Sequence, residues 1–167
     1  MQVLKQMPLV KQGRPLVVNV PAEHSGQISV GDLCWYHNGI VRPASLFPPG
    51  LSTEDTLSGF AELFIGLAIA VDLEQPDGRH VGTVIDLGTQ AVYRSPIVTG
   101  DYDIGDRLTV LHGDHGLENQ RLVRASHPNQ TIAVAMERRT KFDDSLQLNV
   151  QFCSRFSSLA ALQRATA

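Results

Sequence analysis

The sequence is poor in the residues that announce chemistry. Its 167 residues hold two cysteines, Cys34 and Cys153. They lie far apart and outside CxxC or Cys/His zinc spacing. Both read as small apolar strand residues, and spacing does not decide whether they pair. There is no basic surplus: the net charge is −3, which gives no general reason to expect nucleic-acid binding. Arg138, Arg139 and Lys141 gather together and read as a solvated turn. No apolar run is long. The longest, Leu63 to Val71, is too short to span a bilayer, so no membrane segment is expected. The opening Met-Gln-Val-Leu-Lys-Gln-Met-Pro lacks the basic region and apolar run of a signal peptide. The expectation is a chain made and kept in a cytoplasm, unless it leaves as part of a particle. Gly-x-Ser-x-Gly, a phosphate loop and Gly-x-Gly-x-x-Gly are all missing.

What is present is turn chemistry between short apolar runs. Hydrophobic residues make up 43% and charged residues 19%, an ordinary balance for a folded domain. Residues 28 to 45 predict a hairpin. Leu33 and Trp35 alternate with Cys34 and Tyr36, and Asn38-Gly39 suits a type I′ turn, which needs positive φ at both central positions. Trp35 and Tyr36 fall on opposite faces, which predicts one core and one surface ring, or both partly buried. Residues 46 to 62 predict a connection with one short helix. Ser52 or Thr53 is its cap, Glu54 and Asp55 favour its first turn, and Gly59 weakens it. "LFIGLAIAV" predicts a buried strand, and "EQPDGR" at 74–79 a turn. "HVGTVIDLGTQAVYRSPIV" predicts two strands broken at Leu87-Gly88. "QTIAVAMERR" predicts another strand. In "SLQLNVQFCSRF" the residues Leu146, Leu148, Val150 and Phe152 share a face. Residues 157–167 predict a short helix or loose tail.

The fold class expected is therefore all-β: a small β-barrel or sandwich with an extended N-terminal arm and one short helix. Residues 1–20 form the arm, 21–156 the barrel domain and 157–167 the tail. The arm reads either as a first edge strand or as a segment lying on a neighbouring subunit.

One phrase occurs twice. "VGDLCWYHNGIVRPAS" and "IGDRLTVLHGDHGLENQRLVRAS" each begin with an apolar residue and Gly-Asp and end in Val-Arg-(Pro)-Ala-Ser. The glycines, Gly31 and Gly105, can take positive φ, and Asp32 and Asp106 can bond nearby backbone N–H groups. A strand of small residues follows each copy, 64–70 and 131–136. The copies are either a pseudo-repeat of a barrel-like unit or a chance similarity of two hairpins. In both cases the phrase builds turns and strands.

The stretches "VGDLCWYHNGIVRPA", "FIGLAIA" and "VGTVIDLGTQAVYRSPIVTGDYDIGDRLTV" resemble the phage head-decoration (capsid cement) proteins of the small β-barrel kind. Gly88 to Val92 and Ile104 to Val110 match the second part of that pattern, and the likeness covers roughly residues 25 to 135. The connection from Phe47 to Phe60 and the longer C-terminal part depart from it. The resemblance implies a structural virion protein on the capsid exterior, with the major capsid protein as partner and a homo-trimer or other homo-oligomer as its form. It implies no cofactor. Together with the extended arm it makes Pro8, Val10, Pro15, Val17 and Val20, and Leu46, Phe47 and Phe60 in the connection, the expected protein-contact residues.

The alternative is an enzyme or metal-binding protein. "LHGDHG" brings His112, Asp114 and His115 together, and His-x-Asp-His spacing occurs in metal-dependent hydrolases. Here it is Gly-rich and sits between two strands, as a hairpin loop requires. His24, His37, His80 and His127 lie in separate turns. Asp101 and Asp103 lack the glycine and terminal glutamate of an EF-hand. Asp143-Asp144 and Glu23-His24 read as turn and loop. Another tail or virion component of similar architecture remains a third reading.

Overall fold

The computed structural model describes residues 10–14, 16–22, 28–71, 83–87 and 91–156. Their order is β1 (Val10–Gly13), β2 (Val17–Val20), β3 (Leu33–His37), β4 (Ile40–Pro43), α1 (Thr53–Leu63), β5 (Phe64–Val71), β6 (Thr83–Asp86), β7 (Ala91–Pro96), β8 (Arg107–Gly113), β9 (Gly116–Arg124), β10 (Ala133–Ala135) and β11 (Gln147–Phe152). Among the described residues the fold is all-β with a single α-helix. The turn expected at 74–79, the tail at 157–167, Glu23-His24 and His80 lie outside the described residues.

Two antiparallel sheets result, with orders β4-β3-β5-β6-β2 and β9-β8-β10-β11-β7-β1. The first uses β2 to β6 and the second uses β7 to β11 in the same spatial arrangement, with β1 added beside β7. In each half a parallel bridge brings the sheet back on itself. Ala22, just past β2, pairs with Val41 of β4, and Ile97, just past β7, pairs with Leu122 of β9. Each half therefore curls into a small barrel, and the chain is a duplicated unit.

The repeated phrase is the hinge of each unit. Gly31 has φ 95° and Gly105 φ 91°, a conformation that glycine adopts without the strain a Cβ would bring. Asp32 N–H donates to Ser29 O and Asp106 N–H to Asp103 O, both at 3.0 Å. The carboxylates close the same turns, accepting from Ser29 N–H at 2.7 Å and Asp103 N–H at 2.9 Å. Each turn then grips the small-residue strand in the same way. Gly31 N–H donates to Ala68 O and Ala68 N–H to Asp32 O, while Gly105 N–H donates to Ala135 O and Ala135 N–H to Asp106 O. The shared Val-Arg letters are not part of the correspondence. Tyr36 pairs with Val41, and Val110 pairs with Leu122 rather than Val123, so Pro43 stands where Arg124 does.

Equivalent positions fill the two barrels. Cys34, Tyr36, Val41, Ala68, Ile85 and Leu87 are buried in the first, and Leu108, Val110, Leu122, Ala135, Val150 and Phe152 in the second. Trp35 and Tyr36 are both buried because β3 lies between two cores. Tyr36 faces the first barrel's interior, while Trp35 joins the helix and the second barrel. The hairpin turn is as its sequence predicts, with positive φ at Asn38 and Gly39.

The helix starts where Ser52 caps it, its hydroxyl accepting from Asp55 N–H at 3.1 Å. Thr56, Leu57, Phe60 and Ala61 form its buried face. Phe47 lies edge-on to Trp35 and Phe60. A Cβ at Gly59 would stand 3.3 Å from the Phe47 ring, so the glycine that weakens the helix gives that ring room.

Two expected strands are altered. The "QTIAVAMERR" strand shortens to β10, because Arg139 leaves to pair with Tyr102. On β11 Leu148, Val150 and Phe152 share the core face, but Leu146 precedes the strand and is exposed.

Candidate functional site

The most chemically suggestive loop, His112 to His115, joins β8 to β9. Gly113 pairs with Gly116, leaving Asp114 and His115 as the exposed corners of a two-residue turn, with His112 partly buried on the strand. His37 sits exposed at the other hairpin, and His127 is exposed with its Nε2 3.3 Å from Glu54 Oε1. Among the described residues no three His, Cys, Asp or Glu side chains converge as a metal site.

Three of the candidate carboxylates take donors from the chain itself. Asp101 Oδ1 accepts from Lys141 N–H at 2.7 Å, and Asp103 pairs with Arg138 at 3.3 Å. Asp143 closes the Thr140 turn, accepting from Thr140 N–H at 2.7 Å. Arg139 departs from the solvated-turn expectation. It is largely buried and contacts Glu137 at 3.1 Å.

A groove of about 760 Å³ runs between the two units, where the Ser29–Asp32 turn faces Leu117 to Arg121 of β9. Its floor is a tether. Gln120 Nε2 donates to Asp32 Oδ1 at 2.9 Å, and Ser45 N–H donates to Asn119 Oδ1 at 2.7 Å. Burial first, and the Asp32 charge second, push the Cys34 thiol well above its usual range, so it is a neutral packed group. A second tether joins the units deeper down. Tyr93 O–H donates to Asp86 Oδ2, and Leu16 N–H donates to Asp86 Oδ1 at 3.0 Å. Burial, then the Asp86 hydrogen bond and charge, raise the Tyr93 phenol far above the ordinary tyrosine range.

The expected contact residues separate. Pro8 and Pro15 lie outside the described residues, and Val10 is described as backbone of β1. Val17 is 49% exposed and Leu46 is also exposed, whereas Val20 is buried and Phe60 is 0% exposed. Phe60 therefore has no ring surface to offer a partner, and Phe47 spends much of its ring on Trp35 and Phe60. The residues left outside that set are the most exposed apolar ones among the described residues: Leu51 at 102%, Phe142 at 83%, and Ile104 and Leu146. Their signal was an apolar letter inside a turn, as in Pro-Gly-Leu-Ser or Lys-Phe-Asp-Asp.

Both cysteines are free thiols, Cys34 buried and Cys153 exposed. No helix among the described residues is long and apolar enough to cross a membrane. No protein-family model matches the chain, and no curated protein and no solved structure matches it.

Proposed function

We propose that this chain is a non-enzymatic structural virion protein that binds the outer surface of an assembled phage capsid and stabilises it. The observation that carries the reading is the set of large apolar side chains standing out on its connections, Leu51, Ile104 and Phe142. Such side chains gain by burial against another protein. The turn carboxylates around them serve the chain's own backbone. The likeness of the repeated Gly-Asp phrase to the cement proteins supports the same role.

Leu46 and Leu51 stand exposed on the same connection, where partner contact is expected. The partner is the major capsid protein, and the place of action is the capsid exterior after synthesis in a host cytoplasm. A protein that binds only the assembled lattice stabilises it by mass action. A homo-oligomer multiplies modest contacts through avidity.

Cosedimentation of the purified chain with assembled shells, and separately with unassembled shell protein, tests the role. Binding to shells alone is expected, weakened about tenfold or more in Leu51→Ser or Phe142→Ser, since burying one such side chain is worth about 1.5–3 kcal/mol. Equal binding to unassembled protein, or none to shells, contradicts it.

A further inference from the structure

The two halves differ at one sheet edge. In β2, Leu16 O accepts from Leu87 N–H at 3.0 Å. The backbone groups of Leu16, Val18 and Val20 therefore face β6, and those of Val17 and Asn19 face away, because the two groups of one residue share a side in an antiparallel ladder. β7 alternates in the same way. Ile97 N–H donates to Leu146 O at 2.9 Å, while Val98 N–H donates to Leu122 O at 2.9 Å on the other side. Val92 thus faces outward. Val18 pairs with Ile85 and Tyr93 with Val150, which makes Val17 the counterpart of Val92.

At Val92 the outward edge is covered, since Gln12 of β1 pairs with it. At Val17 no strand among the described residues does the same. Val17 and Asn19 are exposed. The strand is Val-Val-Asn-Val, with no charge, proline or bulge to blunt the edge.

We propose that this edge docks a second copy of the chain, β2 against β2, antiparallel about a twofold axis at Val18. The free groups are self-complementary. Pro15 has no N–H, and Pro21 O already accepts from Val41 N–H at 2.9 Å. That leaves Val17 and Asn19 as the outward pair, and the register sets each Val17 opposite Asn19 of the other copy. Each then exchanges a donor and an acceptor, as in other strand additions, and one isologous contact satisfies both edges. The second unit supplies the precedent, because an extended strand already covers the same edge there. The pairing is a solution property and stands apart from the capsid role.

The test is sedimentation equilibrium of the full chain with amide hydrogen exchange over a concentration series. Wild type should form a dimer, with Val17 and Asn19 amides slowing as concentration rises. Val17→Pro and Asn19→Pro remove only outward N–H groups, which an edge strand tolerates. Each should weaken dimerisation about tenfold or more. If both variants misfold, the wild-type exchange series still decides. A monomer at every concentration, a trimer, or a dimer indifferent to folded proline variants overturns the inference. Exchange slow at all concentrations also overturns it, because the edge is then closed within one chain.

Discussion

Asp32→Ala and Asp106→Ala, made separately, weigh what the repeated turn shares against what each copy adds. The shared part is a carboxylate accepting one backbone N–H, from Ser29 at 2.7 Å or Asp103 at 2.9 Å. Asp32 is 2% exposed and also accepts from Gln120. Its removal takes an acceptor from the part-buried Ser29 N–H and from Gln120, which is exposed and keeps Val30 O at 3.4 Å. At roughly 1–3 kcal/mol for a buried group left without its partner, Asp32→Ala should cost about 2–3 kcal/mol. Asp106 is partly exposed, and its second partner, Arg124 at 2.6 Å, is more exposed still. A solvated cap and a screened ion pair together are worth about 1–1.5 kcal/mol. Urea unfolding followed by the fluorescence of Trp35, the single tryptophan, reads both, with little change of slope expected. Equal costs, or Asp32→Ala below about 1 kcal/mol, would refute the reading of Asp32 as a tether between units.

Tyr93→Phe removes the donor to Asp86 and should cost about 1–3 kcal/mol at neutral pH. Because the folded Tyr93 pKa lies above its unfolded value, the unfolded chain releases its proton first. Wild-type stability should fall as pH rises past about 10, by up to about 1.4 kcal/mol per pH unit for this group. That component should vanish in Tyr93→Phe, and identical alkaline slopes of urea midpoint would contradict the assignment. A Cβ at Gly66 would lie 2.0 Å from Asp86 O, so Gly66→Ala should cost about 3 kcal/mol and lower the melting temperature by about 10 °C, readable by calorimetry. Ser52→Ala should cost about 1 kcal/mol through the lost cap, checked by urea midpoint; an unchanged midpoint would remove Ser52 from that role. A thiol reagent should label Cys153 in the native chain and Cys34 only on unfolding. Fast native labelling of both would contradict the burial of Cys34.

Local geometry was legible where a residue's own chemistry dictates it. Asn38-Gly39 marked its turn, Ser52 its helix, and the Gly-Asp pairs their positive-φ corners. The pairing order was not legible, because side-chain alternation says which face is apolar and nothing about which strand lies beside it. The equivalence of β2–β6 with β7–β11 appears only in the ladders. So does the reason Pro43 replaces Arg124 instead of inserting beside it. Trp35 escaped a one-core rule because a strand between two cores has no outer face. Phe60 looked available because it sits in a connection, yet it lies on the buried side of the helix that fills that connection. The Leu51 and Phe142 surface was missed for the converse reason. Single apolar letters among turn residues carry no period, so nothing in the pattern separates an exposed one from a buried one.

Quantitative mass spectrometry of purified particles from the source organism tests the capsid role most directly. The abundance of this chain is compared with that of the most abundant shell protein. A molar ratio near one, or a simple fraction such as about one third, is the expected result, since lattice sites are repeated by symmetry. Absence of the chain from the particles would contradict the role.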